Sequence, residues 1–220
     1  TVHSVAEPLA AWAELGAVRG VVEKRFALSA EIRVLAARRR DGKSVVWPAT
    51  QNTHVDGILD LSVVPPTGVS LDLVDRAEGL ALAIADALDY VGVLGVEFFV
   101  VGNEIFVNEL APRPHNSGHW TIDAATTSQF EQQVRAVCGL GLGGTGLVSG
   151  GAAMVNLLGD LWENGEPNWA VVLDDPRAAL HLYGKAEPRP GRKMGHLTVT
   201  ADDPRVAAAN ALALRAALVT

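Results

Sequence analysis

Cysteine is almost missing from this chain: Cys138 is the only one in 220 residues. A disulfide within the chain is excluded, a reducing compartment such as the cytoplasm is expected, and Cys138 is read as a small buried apolar side chain. Long apolar runs are missing too, and none approaches the roughly 18 unbroken residues of a membrane span. The first residues, TVHSVAEPLAAWAEL, have neither the basic start nor the apolar core of a signal peptide. Positive charge is in deficit, with 18 Lys and Arg against 25 Asp and Glu. That balance argues against sequence-independent nucleic-acid binding, which draws on clustered basic residues. The glycine-rich LGLGGTGLVSGG, residues 140–151, lacks the Gly-Lys-Ser/Thr ending of a phosphate loop and is read as a linker.

What is present is globular in character: 49% of the residues are hydrophobic. Ser4 and Glu7 read as a capping box opening a helix to Leu15, ended by Gly16. GVVEKRF then reads as a short strand. LSAEIRVLAARRRDGKSVVWP predicts two strands around an Asp41-Gly42 turn. QNTHVDGILDLSVVPP reads as a polar loop entering a strand that Pro65-Pro66 stops. Ser70 to Tyr90 is the clearest helix, with Leu71, Val74, Ala77, Ala81, Ile84, Ala85 and Leu88 at helical spacing. GVLGVEFFVV and EIFVNEL predict a hairpin around Gly102-Asn103. Thr127 or Ser128 caps a helix through Val137, with Phe130, Val134 and Val137 on one face. AAMVNLLG is a further strand, and both copies of DDPR, at 174–177 and 202–205, read as helix starts. Mixed elements joined by tight turns predict an α+β class with antiparallel pairing.

Two carboxylates interrupt this pattern. Glu97 lies inside an apolar strand and Glu109 ends its hairpin partner, and burying a carboxylate is costly unless something neutralises it. Magnesium accepts few carboxylates and takes other ligands from phosphate oxygens. Opposed hairpin residues have position numbers of constant sum, and a two-residue loop at 102–103 makes that sum odd. The sum of 97 and 109 is even, so a bulge or odd loop is needed to bring both onto one face. An edge strand carrying exposed Glu is the plain alternative. Immediately after Glu109, Pro112 and Pro114 exclude an ordinary helix from a loop holding Arg113, His115, Asn116 and His119. His115 and His119 therefore read as anion-binding or loop-stabilising residues rather than a zinc pair. Glu23 and Glu31 flank a connection where backbone edges could meet a flat base and a carboxylate a ribose diol. YGKAEPRPGRKMGH gathers Lys185, Arg189, Arg192, Lys193 and His196, a local positive edge suited to phosphate or carboxylate.

NELAPRPHNSGHWT followed by TSQFEQQVRAV resembles the signature of the N5-carboxyaminoimidazole ribonucleotide synthases, ATP-grasp carboxylases of purine biosynthesis. The resemblance continues through VVEKRF, AEIRV, QNTHVDGI, YVGVLGVEFFV and YGKAEPRPGRKMGHLT, in the same order over nearly the whole chain. It implies an ATP-grasp central domain plus a small C-terminal domain, dependence on ATP and magnesium, aminoimidazole ribonucleotide and bicarbonate as substrates, and a homodimer. Glu97 and Glu109 would hold magnesium, with Asn108 beside them. Glu23, Lys24, Arg25 and Phe26 would form the adenine hinge, Glu31 would bind the ribose and His54 would lie on the nucleotide side. Arg113, His115 and Asn116 would face bicarbonate. Lys185, Arg189, Arg192 and Lys193 would bind the ribonucleotide phosphate. Biotin carboxylase, a more distant relative, has a metal-binding Asn where Ala111 stands here. The resemblance also implies an upstream domain and lid, so residues 1–26 read as the end of that lid, 27–145 as the catalytic subdomain and 146–220 as the C-terminal domain. A chain of this extent is expected not to turn over alone. A formate-using phosphoribosylglycinamide formyltransferase, whose loop is similar, is the nearest alternative; a non-catalytic nucleotide-binding or dimerisation module is another.

Overall fold

The computed structural model describes residue 4 and residues 7–219. Its strands in chain order are β1 (Ala30–Arg38), β2 (Ser44–Val46), β3 (Thr50–Val55), β4 (Ile58–Val64), β5 (Gly92–Val101), β6 (Glu104–Ala111), β7 (Gly151–Leu158), β8 (Ala178–Leu182) and β9 (Lys193–Ala201). They form one sheet in the order β6-β5-β1-β3-β4-β7-β9-β8, with β2 added to β1. Every pairing is antiparallel. The helices are α1 (Glu7–Glu14), α2 (Leu71–Ala87), α3 (Thr121–Ala124), α4 (Gln129–Val137), α5 (Ala170–Leu173) and α6 (Pro204–Ala217). The α+β class expected from the sequence is the class observed.

Strand alternation decides which residues reach the cleft. Ile32 and Val34 of β1, with Leu94, Val96, Phe98 and Val100 of β5, pack against Leu73, Ala77, Ala81 and Ala85 of α2. The intervening positions, Glu31 and Arg33 on β1 and Glu97 and Phe99 on β5, must then point to the opposite face. Further along that face Leu35, Ala37 and Val93 pack with the buried Trp47 and Trp120. A third cluster joins β7 and β9 to Ala207, Ala211 and Leu218 at α6. Because β4 pairs with β7, the last third of the chain extends the same sheet.

Several elements depart from the sequence reading. QNTHV is strand β3, joined to β4 at Asp56-Gly57, both with positive φ (50° and 76°). Residues 17–28 hold no strand; Val21 and Val22 are exposed and pair with no strand among the described residues. The first DDPR is a turn leading into β8, where Asp175 Oδ1 accepts the Arg177 amide. The second does start a helix, with Asp203 as its cap. Ser70 and Ser128 cap α2 and α4. In α4 the face carrying Phe130, Val134 and Val137 is exposed, while Gln129, Gln132 and Ala136 are buried. Cys138, at the end of α4, is exposed rather than buried. No helix among the described residues is long and apolar enough to cross a membrane.

Candidate functional site

The β5–β6 hairpin contains the register shift that the two carboxylates required. Phe98 pairs with Val107 and Val96 with Leu110, so Asn108 and Glu109 together oppose Glu97. The bulge turns Glu109 back to the face of Glu97. Carboxylate oxygens of both, with a ring nitrogen of His115, lie within 4.8 Å of one another. Asn108 Nδ2 donates to Glu97 Oε2 at 3.0 Å. Edge position does leave Glu109 exposed, its side chain 60% accessible, whereas that of Glu97 is 18% accessible.

Arg33, a residue that no motif in the sequence marks, stands directly opposite Glu97 in the β1–β5 pairing. Its guanidinium is buried, ion-pairs with Glu97, lies 4.0 Å from Glu109 and hydrogen-bonds His115 Nδ1. Burial lowers its pKa to about 9, opposed by the charge of Glu109, so it remains a cation at neutral pH. The signal available in the sequence was parity: Arg33 shares the side of Glu31.

The loop after β6 is held by two side chains from elsewhere in the chain. Gln129 at the start of α4 accepts the His115 amide at 2.8 Å, donates to the His115 carbonyl at 2.7 Å and donates to His119 Nδ1 at 2.9 Å. Asn116 exchanges two amide hydrogen bonds with Asn156 of β7, at 2.9 and 2.8 Å. Gly118 packs so closely that a Cβ there would come within 2.8 Å of Gln129 Oε1. Neither Gln129 nor Asn156 announced itself in the sequence, because each acts through backbone or amide contacts that no spacing reveals.

His115 Nδ1 accepts from the Ser117 amide and from Arg33, so its proton resides on Nε2. Burial first, then the positive charges of Arg33, Arg113, Lys193 and His119, lower its pKa to about 3. His119 is lowered to about 4, by burial and then by Lys193 and His181. Both rings are neutral at pH 7 and serve as hydrogen-bonding groups, with His115 offering an N–H donor.

The other residues singled out fall around this centre. Glu23, Lys24, Phe26, Phe99, Phe106 and Asn108 line one depression, where Phe26 stacks on Phe106 at 4.7 Å. Glu31 Oε2 is 2.6 Å from His54 Nδ1. Arg25 and Arg113 are exposed. Lys193 begins β9 on the loop side, its pKa lowered by burial and by the charges of Arg33 and Lys185. Lys185 Nζ donates to the Lys193 carbonyl, and Arg192 donates to the Glu187 carbonyl. Arg189 is exposed in the same loop.

Two protein families match this chain. The ATP-grasp domain family matches residues 1–130, and the chain belongs to that family. The phosphoribosylaminoimidazole carboxylase C-terminal domain matches residues 152–210. Among curated relatives, the N5-carboxyaminoimidazole ribonucleotide synthase of Vibrio cholerae is 43% identical over 202 residues, 91% of this chain and 51% of that protein. The Bacillus subtilis synthase is 45% identical over 183 residues, 81% of this chain and 46% of that protein. The crystal structure of the Thermus thermophilus synthetase superposes with a TM-score of 0.85 at 46% identity, covering 100% of this chain and 59% of that one. An Aspergillus clavatus synthase, solved with ADP and 5-aminoimidazole ribonucleotide, gives a TM-score of 0.79 at 30% identity, covering 89% of this chain and 53% of that one. The chain thus spans about half the length of the relatives it matches.

Proposed function

We propose that this chain is the carboxy-terminal part of an enzyme that uses ATP and bicarbonate to carboxylate 5-aminoimidazole ribonucleotide at its exocyclic amine. The observation carrying this reading is the bulge that places Glu97, Asn108 and Glu109 together at the start of the loop bearing His115 and Asn116. The substrate class comes from the relatives' names and from the Aspergillus complex with ADP and the ribonucleotide.

The donor set fits a magnesium ion: hard carboxylate oxygens from two strands, close enough to share one cation. Glu97 already engages Arg33 and Asn108, so Glu109 is the freer ligand and Glu97 the second. When bound, magnesium supplies charge neutralisation to the polyphosphate. The depression around Phe26 and Phe106 takes the base, and the Glu31–His54 pair takes the ribose. Arg33 adds a fixed positive charge beneath the phosphates.

Bicarbonate is held by the Nε2–H of His115, the amide of Asn116 and the guanidinium of Arg113. A neutral His115 donates without releasing a proton, which suits an anion whose oxygen must stay nucleophilic toward the terminal phosphorus. Phosphoryl transfer gives carboxyphosphate and ADP. The amine of the ribonucleotide then attacks the carboxyl carbon, directly or after phosphate has left carbon dioxide in the site, forming the carbamate. Water must be excluded throughout, since it would hydrolyse carboxyphosphate. Lys193, Lys185, Arg192 and Arg189 bind the ribonucleotide phosphate, with bidentate contacts available to the arginines. A homodimeric, cytoplasmic enzyme is the matching assembly and setting.

The test is bicarbonate-dependent release of ADP and phosphate from ATP, with and without the ribonucleotide, in the full-length gene product containing this sequence. Turnover that Glu109→Gln abolishes is the expected result. Formate replacing bicarbonate as the better substrate, or unchanged turnover in the variant, would overturn the reading.

A further inference from the structure

A second group of metal-ligating side chains is separate from the paired carboxylates and borders the loop that carries His119. His181 on β8 and His196 on β9 are directly opposed in the antiparallel pairing. Their rings stack at 4.6 Å with planes 12° apart. Asp123, from the short α3, reaches the same spot, with Oδ2 2.9 Å from His181 Nε2. One donor atom from each residue lies within 4.8 Å of the others.

His196 supplies the independent sign of a ligand. It is 1% exposed. Its Nδ1 is 3.0 Å from the Tyr183 hydroxyl, while its Nε2 is buried and has no hydrogen-bond partner among the described residues. A buried polar atom in that state is costly unless something satisfies it. When Nδ1–H donates to the Tyr183 hydroxyl, the lone pair falls on the unpartnered Nε2, as in a metal-ligating histidine whose other nitrogen is fixed by an outer hydrogen bond. Burial and the neighbouring rings of His119 and His181 keep His196 unprotonated at neutral pH.

We propose that Asp123, His181 and His196 form a divalent transition-metal site, best suited to zinc. Two imidazoles and one carboxylate are borderline donors that favour zinc, cobalt or nickel over magnesium. They leave a fourth position for water or a substrate oxygen. Cross-strand histidines fix the spacing, because their Cα positions are set by the ladder rather than by a loop. Binding asks two rearrangements: the His181 ring turns out of its stack on His196 so that a nitrogen of each ring points to one ion, and the proton between His181 Nε2 and Asp123 moves to Nδ1 or to solvent. Affinity accordingly weakens in acid.

The probe is Co2+, whose visible absorption reports its ligands, added to chelator-stripped protein and followed by displacement with Zn2+. One equivalent bound with a tetrahedral-type spectrum is expected, lost in His181→Ala and His196→Ala and weakened at least about tenfold in Asp123→Asn. Glu109→Gln should leave this signal unchanged, which separates the site from the carboxylate pair and from the reading of function. Because His196 is buried, each variant is checked by thermal melting, and zinc should raise the melting temperature of the parent but not of the edge-strand variant His181→Gln. No binding by the folded parent at ~100 μM cobalt or zinc, or binding undiminished in the folded His181 variants, would overturn the proposal.

Discussion

Arg33 and Glu97 face one another across β1 and β5, and their ion pair lies where the chain also gathers Glu109 and His115. The cleft therefore contains its own cation beside the carboxylates that suit a divalent ion. This arrangement makes Arg33 an electrostatic counterpart to any metal bound there, sharing Glu97 with it.

Replacing Arg33 by Ala leaves Glu97 half-buried without its cation. Stability should fall by about 1–3 kcal/mol, less than for a fully buried pair because Glu97 keeps some solvent. Added Mg2+ should then stabilise the variant more than the parent. Thermal melts with and without magnesium check this; an equal magnesium response in both proteins would contradict it.

Gln129 makes three hydrogen bonds to the His115–His119 segment from a fully buried position. Gln129→Leu should cost about 2–4 kcal/mol, because it strands a buried backbone amide and carbonyl. Urea denaturation measures the loss, and amide exchange at His115 should rise before that of the sheet.

Gly118→Ala tests the same packing from the loop side. The added methyl collides with Leu35 and crowds Gln129. A loss of about 1–3 kcal/mol is expected, seen as a lower urea midpoint with an unchanged slope.

Acid should weaken the fold through three rings. His115, His119 and His196 are held at about 3, 4 and 3, chiefly by burial. In the unfolded chain each titrates near 6.5. Between those limits the unfolded state binds more protons, so stability is complete above about pH 6.5 and falls as pH drops below it. Urea midpoints measured with chelator present should decline from about pH 6.5 to 5, before most carboxylates titrate. A flat midpoint across that window would contradict the burial of these rings.

The sequence made the hairpin and its bulge legible because parity is arithmetic: two carboxylates destined for one face demanded a register shift. Helix α2 was equally plain from its apolar period and Ser70 cap. Strand β3 was hidden because Asn52 and His54 are polar yet line the face beside Glu31 and Glu97, while Gln51 turns to the Thr67 and Gly68 amides; its clearest mark was Asp56-Gly57. The expected strand at 20–26 failed because a strand needs a neighbour, which composition cannot supply. Helix α4 misled in the opposite sense. Its glutamines turn to neighbouring backbones, Gln132 to Gly143 in the following loop and Gln133 to the Val93 amide of β5, while Phe130 and Val134 face out. The positions singled out at the carboxylate pair and its loop do come together, but the residues holding them, Arg33, Gln129 and Asn156, act through long-range contacts that local sequence does not encode.

The most direct measurement is Mn2+ binding, as a spectroscopic substitute for magnesium, to this chain in the presence of ADP. Paramagnetic resonance should report an ion retained with nucleotide, at least about tenfold more weakly in Glu109→Gln and unaffected in His181→Ala. Equal retention by the parent and the Glu109 variant would show that the two opposed carboxylates do not hold the cation that accompanies the nucleotide.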